Sequence, residues 1–313
     1  MAKKNVRAAQ KEIDRQEAQS AVGFSKVNPF RAGDAVIIFA LLLLCATCII
    51  PFVHLMAKSV SSNSAVLSKR VTLWPIGINI QAYRAIFRDG QLTNAMFYSL
   101  WVTIAFTVIG MIITICAAYP LSRKRLKGRV FFSFAFMFTM YFSAGLIPEY
   151  LLLQSLGLLN TPWVLILPLS FSAYNMLIMK SFFQSTIPDS LEEAAFLDGA
   201  SNLQILIKIV LPLSKPILAT LSLFYAVGRW NAYADARYFI TTKAYQPIQY
   251  LLYNMISNAG GESFSLSEGG AAQSTPEVLQ AAAVMFATLP ILCIYPFVQK
   301  HFVRGVMVGA VKG

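Results

Sequence analysis

Charged residues are scarce in this chain of 313 residues, and their scarcity excludes an ordinary soluble domain. Only 13% of the residues are Asp, Glu, Lys or Arg, whereas 57% are hydrophobic. Soluble domains carry roughly a quarter charged residues. A fold built from this chain would lack the polar surface that water requires, so the composition predicts a membrane protein.

Several catalytic signatures are missing as well. The chain contains no G-x-x-x-x-G-K-[ST] phosphate loop, no H-E-x-x-H and no D-x-D. Without a phosphate loop the chain has no cradle for nucleotide phosphates, so we expect no ATP hydrolysis by this chain itself. Its four cysteines all lie in apolar runs and imply neither disulfides nor zinc. We therefore expect no catalytic residue, no cofactor and no metal site, and a membrane-embedded enzyme has no support.

The basic excess, a net charge of +12, is the feature that would suggest nucleic acid. The Lys and Arg residues, however, cluster beside the apolar runs, which is how topology signals are placed in membrane proteins. We expect lipid as the surrounding medium and no nucleic acid as a partner.

Six apolar runs have the length of a membrane span, for which about 20 residues are needed. The fourth and fifth carry polar residues and have the least certain ends. The predicted fold is all-α and polytopic, with transmembrane helices at about 35–57, 94–121, 130–153, 162–183, 217–240 and 278–300.

Most of the 26 Lys and Arg residues lie in the N-terminal tail 1–33, the loop after the second span, the segment 186–216 and the C-terminal end. Because cytoplasmic loops are enriched in Lys and Arg, we expect both termini to be cytoplasmic. The predicted domains are the tail 1–33 and a membrane domain 34–313. Loops 58–93 and 241–277 then face outward, the second of them with a flexible Gly- and Ser-rich part.

The segment 186–216, called the insert below, separates the fourth and fifth spans. A helix is predicted to start at Asp189 or Ser190, with Ser190 and Glu193 at capping-box spacing. Gly199 should end this helix, because glycine accepts the positive φ of a sharp helix end. A second helix then starts at the cap Ser201 or Asn202 and is ended or kinked by Pro212 and Pro216.

The insert has two interpretations. Its apolar positions, among them Leu197 and Leu203, suit the groove of a soluble partner, and Glu192, Glu193 and Asp198 offer charges. Alternatively, the insert is an amphipathic helix that rests on lipid. Lipid-surface helices favour Lys and Arg, whereas this segment opens with acids, which favours docking to a partner.

The fifth span is unusually polar, and polar groups at membrane depth tend to face a cavity or a partner. One interpretation is a translocation path for a sugar, possibly an acidic one, because aromatic faces stack on sugar rings and Arg or Asn binds hydroxyls and carboxylates. The other is packing against a second subunit, with an Asp235–Arg237 pair at the outer rim. The candidate path residues are Tyr225, Arg229, Trp230, Asn231, Tyr233 and Tyr238.

Acidic residues are nearly missing from the spans. Glu149 and Asp235 are the two that lie deep enough to consider, whereas an ion-driven transporter needs carboxylates along its path. This argues against an ion-driven secondary sugar transporter, which we keep as the alternative function.

The insert also carries a family motif. Glu193-Ala194-Ala195, Gly199, Ile209 and Leu211-Pro212 follow the order EAA, three residues, G, nine residues, I, one residue, LP. This pattern resembles the EAA signature of ABC importer permeases, and every spacing matches. The resemblance implies that the insert is the coupling helix and that Glu193 meets the ATPase while Gly199 forms the turn. The implied coupling residues are Glu192, Glu193, Ala194, Ala195, Asp198, Gly199, Ala200, Ile209, Leu211 and Pro212.

Two further stretches extend the resemblance. NIQAYRAIF in the first external loop and FVRGVMVGAVKG at the end are similar to carbohydrate permeases of the maltose-permease G-subunit type. SAGLIPEYLLLQSLGLLNTPWVLILP resembles the branch that serves complex oligosaccharides and polysaccharide fragments, such as alginate or aldouronate. The similarity covers the chain from about residue 35 to its end and implies the type I ABC importer fold.

The resemblance also implies an assembly in a bacterial cell membrane. The expected partners are a second, different permease, two ATPase subunits that carry ATP and magnesium, an extracellular solute-binding protein received by the outer loops, and an oligosaccharide substrate.

Overall fold

The structure, a computed structural model, describes residues 32–257 and 275–310, with side chains as far as residue 294. Every regular element in these ranges is helical. Short 3₁₀ turns occur at Pro162–Leu165 and Lys243–Tyr245. The helices are α1 Ala32–Ser59, α2 Asn63–Leu67, α3 Gln81–Asp89, α4 Gln91–Ser122, α5 Arg129–Tyr141, α6 Leu146–Ser155, α7 Ala173–Thr186, α8 Asp189–Leu197, α9 Asn202–Leu213, α10 Lys215–Asn231, α11 Ala234–Phe239, α12 Ile248–Ser257 and α13 Pro276–Ala310.

The chain forms two compact units, residues 1–53 and 54–313. The described part of the first unit is the apolar beginning of α1, whose side chains are almost all exposed. An exposed helix that is hydrophobic all round suits a bilayer. The predicted tail 1–33 lies outside the described residues except for its last two, which already belong to α1, so the predicted domain boundary stays a prediction. The features below lie in the second unit.

In the part of the chain that the structure describes, three helices are long and apolar enough to cross a membrane by themselves: Gly33–Ser59 of α1, α4, and Pro276–Ile294 of α13. Two bent pairs bring the number to as many as five. One bent pair is α5 and α6, which meet at 112°. Together these two helices cover the predicted third span. The other pair is α9 and α10, which meet at 84°. The fifth predicted span, 217–240, therefore starts inside α10, which ends at Asn231 and is followed by the separate helix α11.

The predicted fourth span, 162–183, is not one continuous helix in this structure. It consists of the 3₁₀ turn Pro162–Leu165, an irregular stretch 166–172 and the 14-residue helix α7. Two residues explain the interruption. Pro168 has no N–H to offer a helix, and Ser172 starts a new one by accepting a hydrogen bond from the Asn175 backbone at 3.3 Å.

The long helix α4 is the centre of the second unit, with buried residues from Leu92 to Ser122. One apolar cluster joins its second half to α7, α10 and the insert, through Phe183, Leu221 and Ile205, all of which are fully buried. Burying an Ile or Leu side chain contributes about 1.5–3 kcal/mol. The insert is thus anchored to the same core as the helices beside it.

Candidate functional site

The insert folds as two short helices joined by a sharp turn, as predicted. Helix α8 follows Pro188 and ends at Leu197, and Gly199, two residues further on, has a φ of +80°. That value is in the left-handed region, which glycine adopts without the steric cost that a Cβ brings. A Cβ on Gly199 would meet nothing within 4 Å. The requirement for glycine here is therefore conformational and does not come from crowding.

The capping box of the insert lies at the second helix. The Ser201 hydroxyl accepts the Gln204 backbone N–H at 3.3 Å, and the Gln204 side chain accepts the Ser201 N–H at 2.9 Å. The prediction of Ser201 as a cap is confirmed. The box predicted at Ser190 and Glu193 is wrong, because α8 already begins at Asp189 and Ser190 lies inside its first turn.

Helix α9 changes pitch before the membrane segment. Residues Leu206–Val210 form a π turn, a feature often found at functional positions. Pro212 follows, and the chain bends by 84° between α9 and α10. The predicted kink before the fifth span is confirmed, and it separates the direction of the insert from that of α10.

A buried ion pair connects the insert to the end of α4. The Arg123 Nε lies 3.1 Å from Glu192 Oε1, and both side chains are about 5% exposed. Arg123 also lies over the Tyr119 ring, with 5.2 Å from Cζ to the ring centroid. Glu192 was expected to offer a surface charge to a partner, but its carboxylate points into the fold. It holds α8 against α4 instead.

The two residues after Arg123 make outer contacts with the same insert. Lys124 Nζ lies 2.9 Å from Asp189 Oδ2. The Arg125 guanidinium donates to the side-chain oxygen of Asn202 and stacks 4.3 Å from the Phe196 ring centroid. We call Arg123, Lys124 and Arg125 the basic clamp. It contacts both helices of the insert, on either side of the Gly199 turn.

The outer ion pair of the clamp is solvated. The hydrogen bond from Lys124 lowers the pKa of the Asp189 carboxyl, assisted by the positive charge of the lysine. Because the Lys124 side chain is 81% exposed and that of Asp189 48%, water and salt screen this attraction. The buried Arg123–Glu192 pair is therefore the stronger of the two ion pairs that attach the insert.

Sequence reasoning missed the clamp because it counted these basic residues only as topology signals. A signal was present, since the basic run 123–129 and the acidic cluster 189–198 lie in two segments predicted to share the cytoplasmic side. Oppositely charged loops on one membrane side are candidates for pairing.

The remaining motif residues divide between an inner and an outer face of the insert. Ala195 is buried against the core, and Ala200, Ile209 and Leu211 are half-buried. An exposed face remains, which carries charge and a protruding apolar side chain, since Leu197 is 90% exposed. We call it the outer face of the insert: Glu193, Ala194, Leu197, Asp198 and Gly199.

The structure places the first two candidate path residues of the fifth span inside the protein. The Tyr225 hydroxyl lies 2.7 Å from Thr114 Oγ1 and accepts the Ser172 backbone N–H at 3.1 Å. Arg229 is 5% exposed and donates from Nη2 to Asp235 Oδ1 at 2.9 Å. Both side chains hold helices together in this structure.

The other four candidate path residues differ in exposure. Trp230 is buried, whereas the exposed Asn231 donates to the Val227 carbonyl at 3.0 Å. Tyr233 stacks on Tyr253, with ring centroids 4.7 Å apart, and Tyr238 is about half exposed. Tyr225, Arg229 and Tyr233 are four residues apart in sequence, but they do not share one helical face, because the helix breaks at residues 232–233.

The predicted outer rim pair is wrong. Asp235 binds Arg229, and Arg237 donates instead to the Tyr253 hydroxyl at 2.7 Å. The break between α10 and α11 explains the exchange, since it turns Asp235 back toward the end of α10.

Comparison with known proteins agrees with this geometry. Residues 107–308 match the family model described as the binding-protein-dependent transport system inner membrane component. The chain is 43% identical over 284 residues to the polygalacturonan/rhamnogalacturonan transport system permease protein YtcP of Bacillus subtilis, covering 90% of this chain and 99% of that protein. It is 30% identical to the melibiose/raffinose/stachyose import permease protein MelC of the same organism, covering 84% of this chain and 91% of that one.

A solved structure is also similar. It is a chain of a bacterial ABC transporter involved in the import of the acidic polysaccharide alginate, with a TM-score of 0.80 and 33% identity. The alignment covers 87% of this chain and 99% of that one. The resemblance to carbohydrate importer permeases and the expected all-helical type I importer fold are confirmed. The chain belongs to the family of binding-protein-dependent transport system inner membrane components.

Proposed function

We propose that this chain is a transmembrane permease subunit of an ABC importer that carries oligosaccharides or polysaccharide fragments into the cytoplasm. It is not itself catalytic. ATP and magnesium belong to two ATPase subunits, and the path is completed by a second, different permease. A solute-binding protein delivers the sugar to outer loops 58–93 and 241–277, and both termini lie in the cytoplasm of a bacterial cell.

One observation carries this proposal: the insert is fastened to the core at one face and left open at the other. The Arg123–Glu192 pair and the buried Ile205 fix its inner face to α4. The outer face of the insert presents two acids and Leu197 to an incoming partner. An insert attached to the core in this way transmits the motion of a docked subunit to the spanning helices.

Each motif residue then has a separate task. Glu193 pairs with a basic or hydroxyl group of the ATPase, and Leu197 enters an apolar pocket of that subunit. Gly199 keeps the angle between α8 and α9. Ala195 and the half-buried Ile209 and Leu211 pack the insert against the core.

Two of the similar proteins favour an acidic sugar. The permease at 43% identity is named for polygalacturonan and rhamnogalacturonan, which contain galacturonic acid, and the solved neighbour belongs to an importer of the acidic polysaccharide alginate. We propose uronic-acid-rich fragments as the substrate class.

The test is ATP-driven uptake of oligogalacturonate by the complete complex in proteoliposomes. Gly199→Pro should abolish uptake and uncouple ATP hydrolysis from substrate, because proline fixes φ near −65°. Gly199→Asn is the matched control, since asparagine tolerates the left-handed region. Glu193→Lys should also uncouple the complex.

Wild-type coupling in both Gly199→Pro and Glu193→Lys would refute the role of the insert. An ion-driven secondary transporter gives a different result, because the chain alone would then accumulate sugar in liposomes under a proton or sodium gradient without ATP.

A further inference from the structure

Two helix breaks lie side by side in the second unit. Helix α5 starts next to the basic clamp, and α7 ends next to the insert, so these two ends lie on the same side. Their opposite ends are then at similar depth, since 13 and 14 residues at 1.5 Å per residue span about 20 Å each. With a hydrocarbon layer of about 30 Å, both breaks fall within the membrane.

Irregular backbone at membrane depth needs water or protein around its polar groups, because lipid cannot bind them. The stretch 142–145 after α5 and the stretch 166–172 before α7 are both irregular. Beside the second stretch, between the last turns of α5 and the start of α7, the structure has an open cavity of about 630 Å³, which we call the α5–α7 cavity. Its lining includes Phe136, Thr139, Met140, Phe171, Ser172 and Tyr174.

Helix α5 has two different faces. At 3.6 residues per turn, its cavity residues project from one side, where Ser133 also lies. The opposite side is an aromatic stripe of the kind that lipid accepts, and its members are more than half exposed: Phe131, Phe134 and Phe138. The periodicity therefore separates a lipid-type face from the cavity face.

Helices α4 and α10 contact the irregular stretch 166–172 and hold it in place. Gly110 of α4 lies so close that a Cβ there would come within 2.7 Å of the Ser170 carbonyl oxygen. The Tyr225 hydroxyl accepts the Ser172 N–H. Tyr225, a predicted path residue, thus supports the wall of the cavity without lining it.

A basic side chain connects α5 and α7 at a position nearer the insert. Lys180 of α7 donates from Nζ to Ser133 Oγ of α5 at 2.7 Å. It follows Tyr174 by six residues, about 9 Å along the helix toward the insert. Lys180 lies inside α7. A charged group within a spanning segment marks a substrate or ion pathway.

We propose that the α5–α7 cavity is a carbohydrate site on the translocation path, an inference that rests on the proposed function. Tyr174, which is 57% exposed, stacks on a sugar ring, as aromatic faces do with apolar ring surfaces. Lys180, nearer the insert, binds a carboxylate of the sugar by a charge-assisted hydrogen bond. A uronic acid that moves from the cavity toward the insert therefore reaches Lys180 next.

Thiol labelling tests whether the cavity holds water. The four native cysteines, which are free and exposed, are replaced by serine. Tyr174→Cys and the control Phe138→Cys are then reacted, in the complex in proteoliposomes, with a membrane-impermeant methanethiosulfonate. Because the thiolate is the reactive form and needs water, position 174 should react about tenfold faster or more. Oligogalacturonate should slow that reaction.

Equal or slower labelling at position 174 would overturn the cavity assignment. Labelling does not require transport, so a dry cavity and a wrong transport function give different results.

Uptake of two matched probes tests Lys180. Oligogalacturonate and its methyl ester have the same rings, but the ester has no charge. Lys180→Gln should reduce uptake of the acid about tenfold, the value of a hydrogen bond to a charged group, and leave uptake of the ester unchanged. Lys180→Arg should restore uptake of the acid.

An equal loss for both probes, or no loss for either, would overturn the role of Lys180. A wild-type complex that imports neither probe would overturn the carboxylate assignment, while the labelling result would still decide whether the cavity is hydrated.

Discussion

Replacing Glu192 by Gln removes the charge that balances Arg123 and changes little else. The pair is buried at about 5% exposure on both sides. Breaking a buried pair by removing one partner costs about 3–5 kcal/mol, because the other charge stays buried without compensation. Gln keeps the shape of the side chain, so we expect a cost of about 3 kcal/mol, near the lower end. This is roughly a hundredfold shift toward detachment of the insert.

Hydrogen exchange of the assembled complex measures this directly. Peptides from α8 should lose about two orders of magnitude of protection in Glu192→Gln, because detachment exposes their backbone amides. Glu193→Gln is the matched control, since the neighbouring acid is exposed and makes no buried pair. Asp189→Asn removes the solvated pair and should change protection by less than tenfold, because water and salt screen surface pairs.

Glu192→Gln and Glu193→Gln also distinguish the ordering of the insert from its coupling to the ATPase. Glu192→Gln should loosen the insert and lower uptake, whereas Glu193→Gln should leave the insert ordered and weaken only its contact with the ATPase. Wild-type protection of α8 in Glu192→Gln would refute the reasoning that the buried pair fastens the insert.

Three further predictions concern the core and the clamp. Asp235→Asn should lower the free energy of unfolding by about 3–5 kcal/mol in a thermal melt, because its buried arginine partner is left uncompensated; an unchanged melting temperature would contradict this. Gly110→Ala should cost about 1–3 kcal/mol through its clash with the Ser170 carbonyl, whereas Gly228→Ala, where a Cβ meets nothing within 4 Å, should cost no more than tenths. Because the pKa of Asp189 is lowered by its lysine partner, the contribution of this pair is complete above the usual carboxyl range and disappears as pH falls through the lowered value. Protection factors of α8 should therefore not change between about pH 7 and 5, and a loss in that interval would show that another group controls it.

Much of the fold is determined by local features that any reader of the sequence can find. Long apolar runs identify α1, α4 and α13, because the length of a spanning helix is set by the bilayer. The turn at Gly199 and the cap at Ser201 depend on residues within a few positions. The spacing of the EAA pattern identifies the family, since its members are all within one short segment.

The pairing of charges and the breaks in the helices were decided by tertiary structure. Arg123 and Glu192 are far apart in sequence, and nothing local indicates that α8 would turn that acid inward. Pro168 and Ser172 interrupt the helix locally at 166–172, but how this stretch packs depends on Gly110 and Tyr225, which belong to other helices. Composition and periodicity report the structure that each segment prefers by itself. The neighbouring helices decide whether a buried charge has a partner. They also decide whether a backbone at membrane depth can depart from the helix.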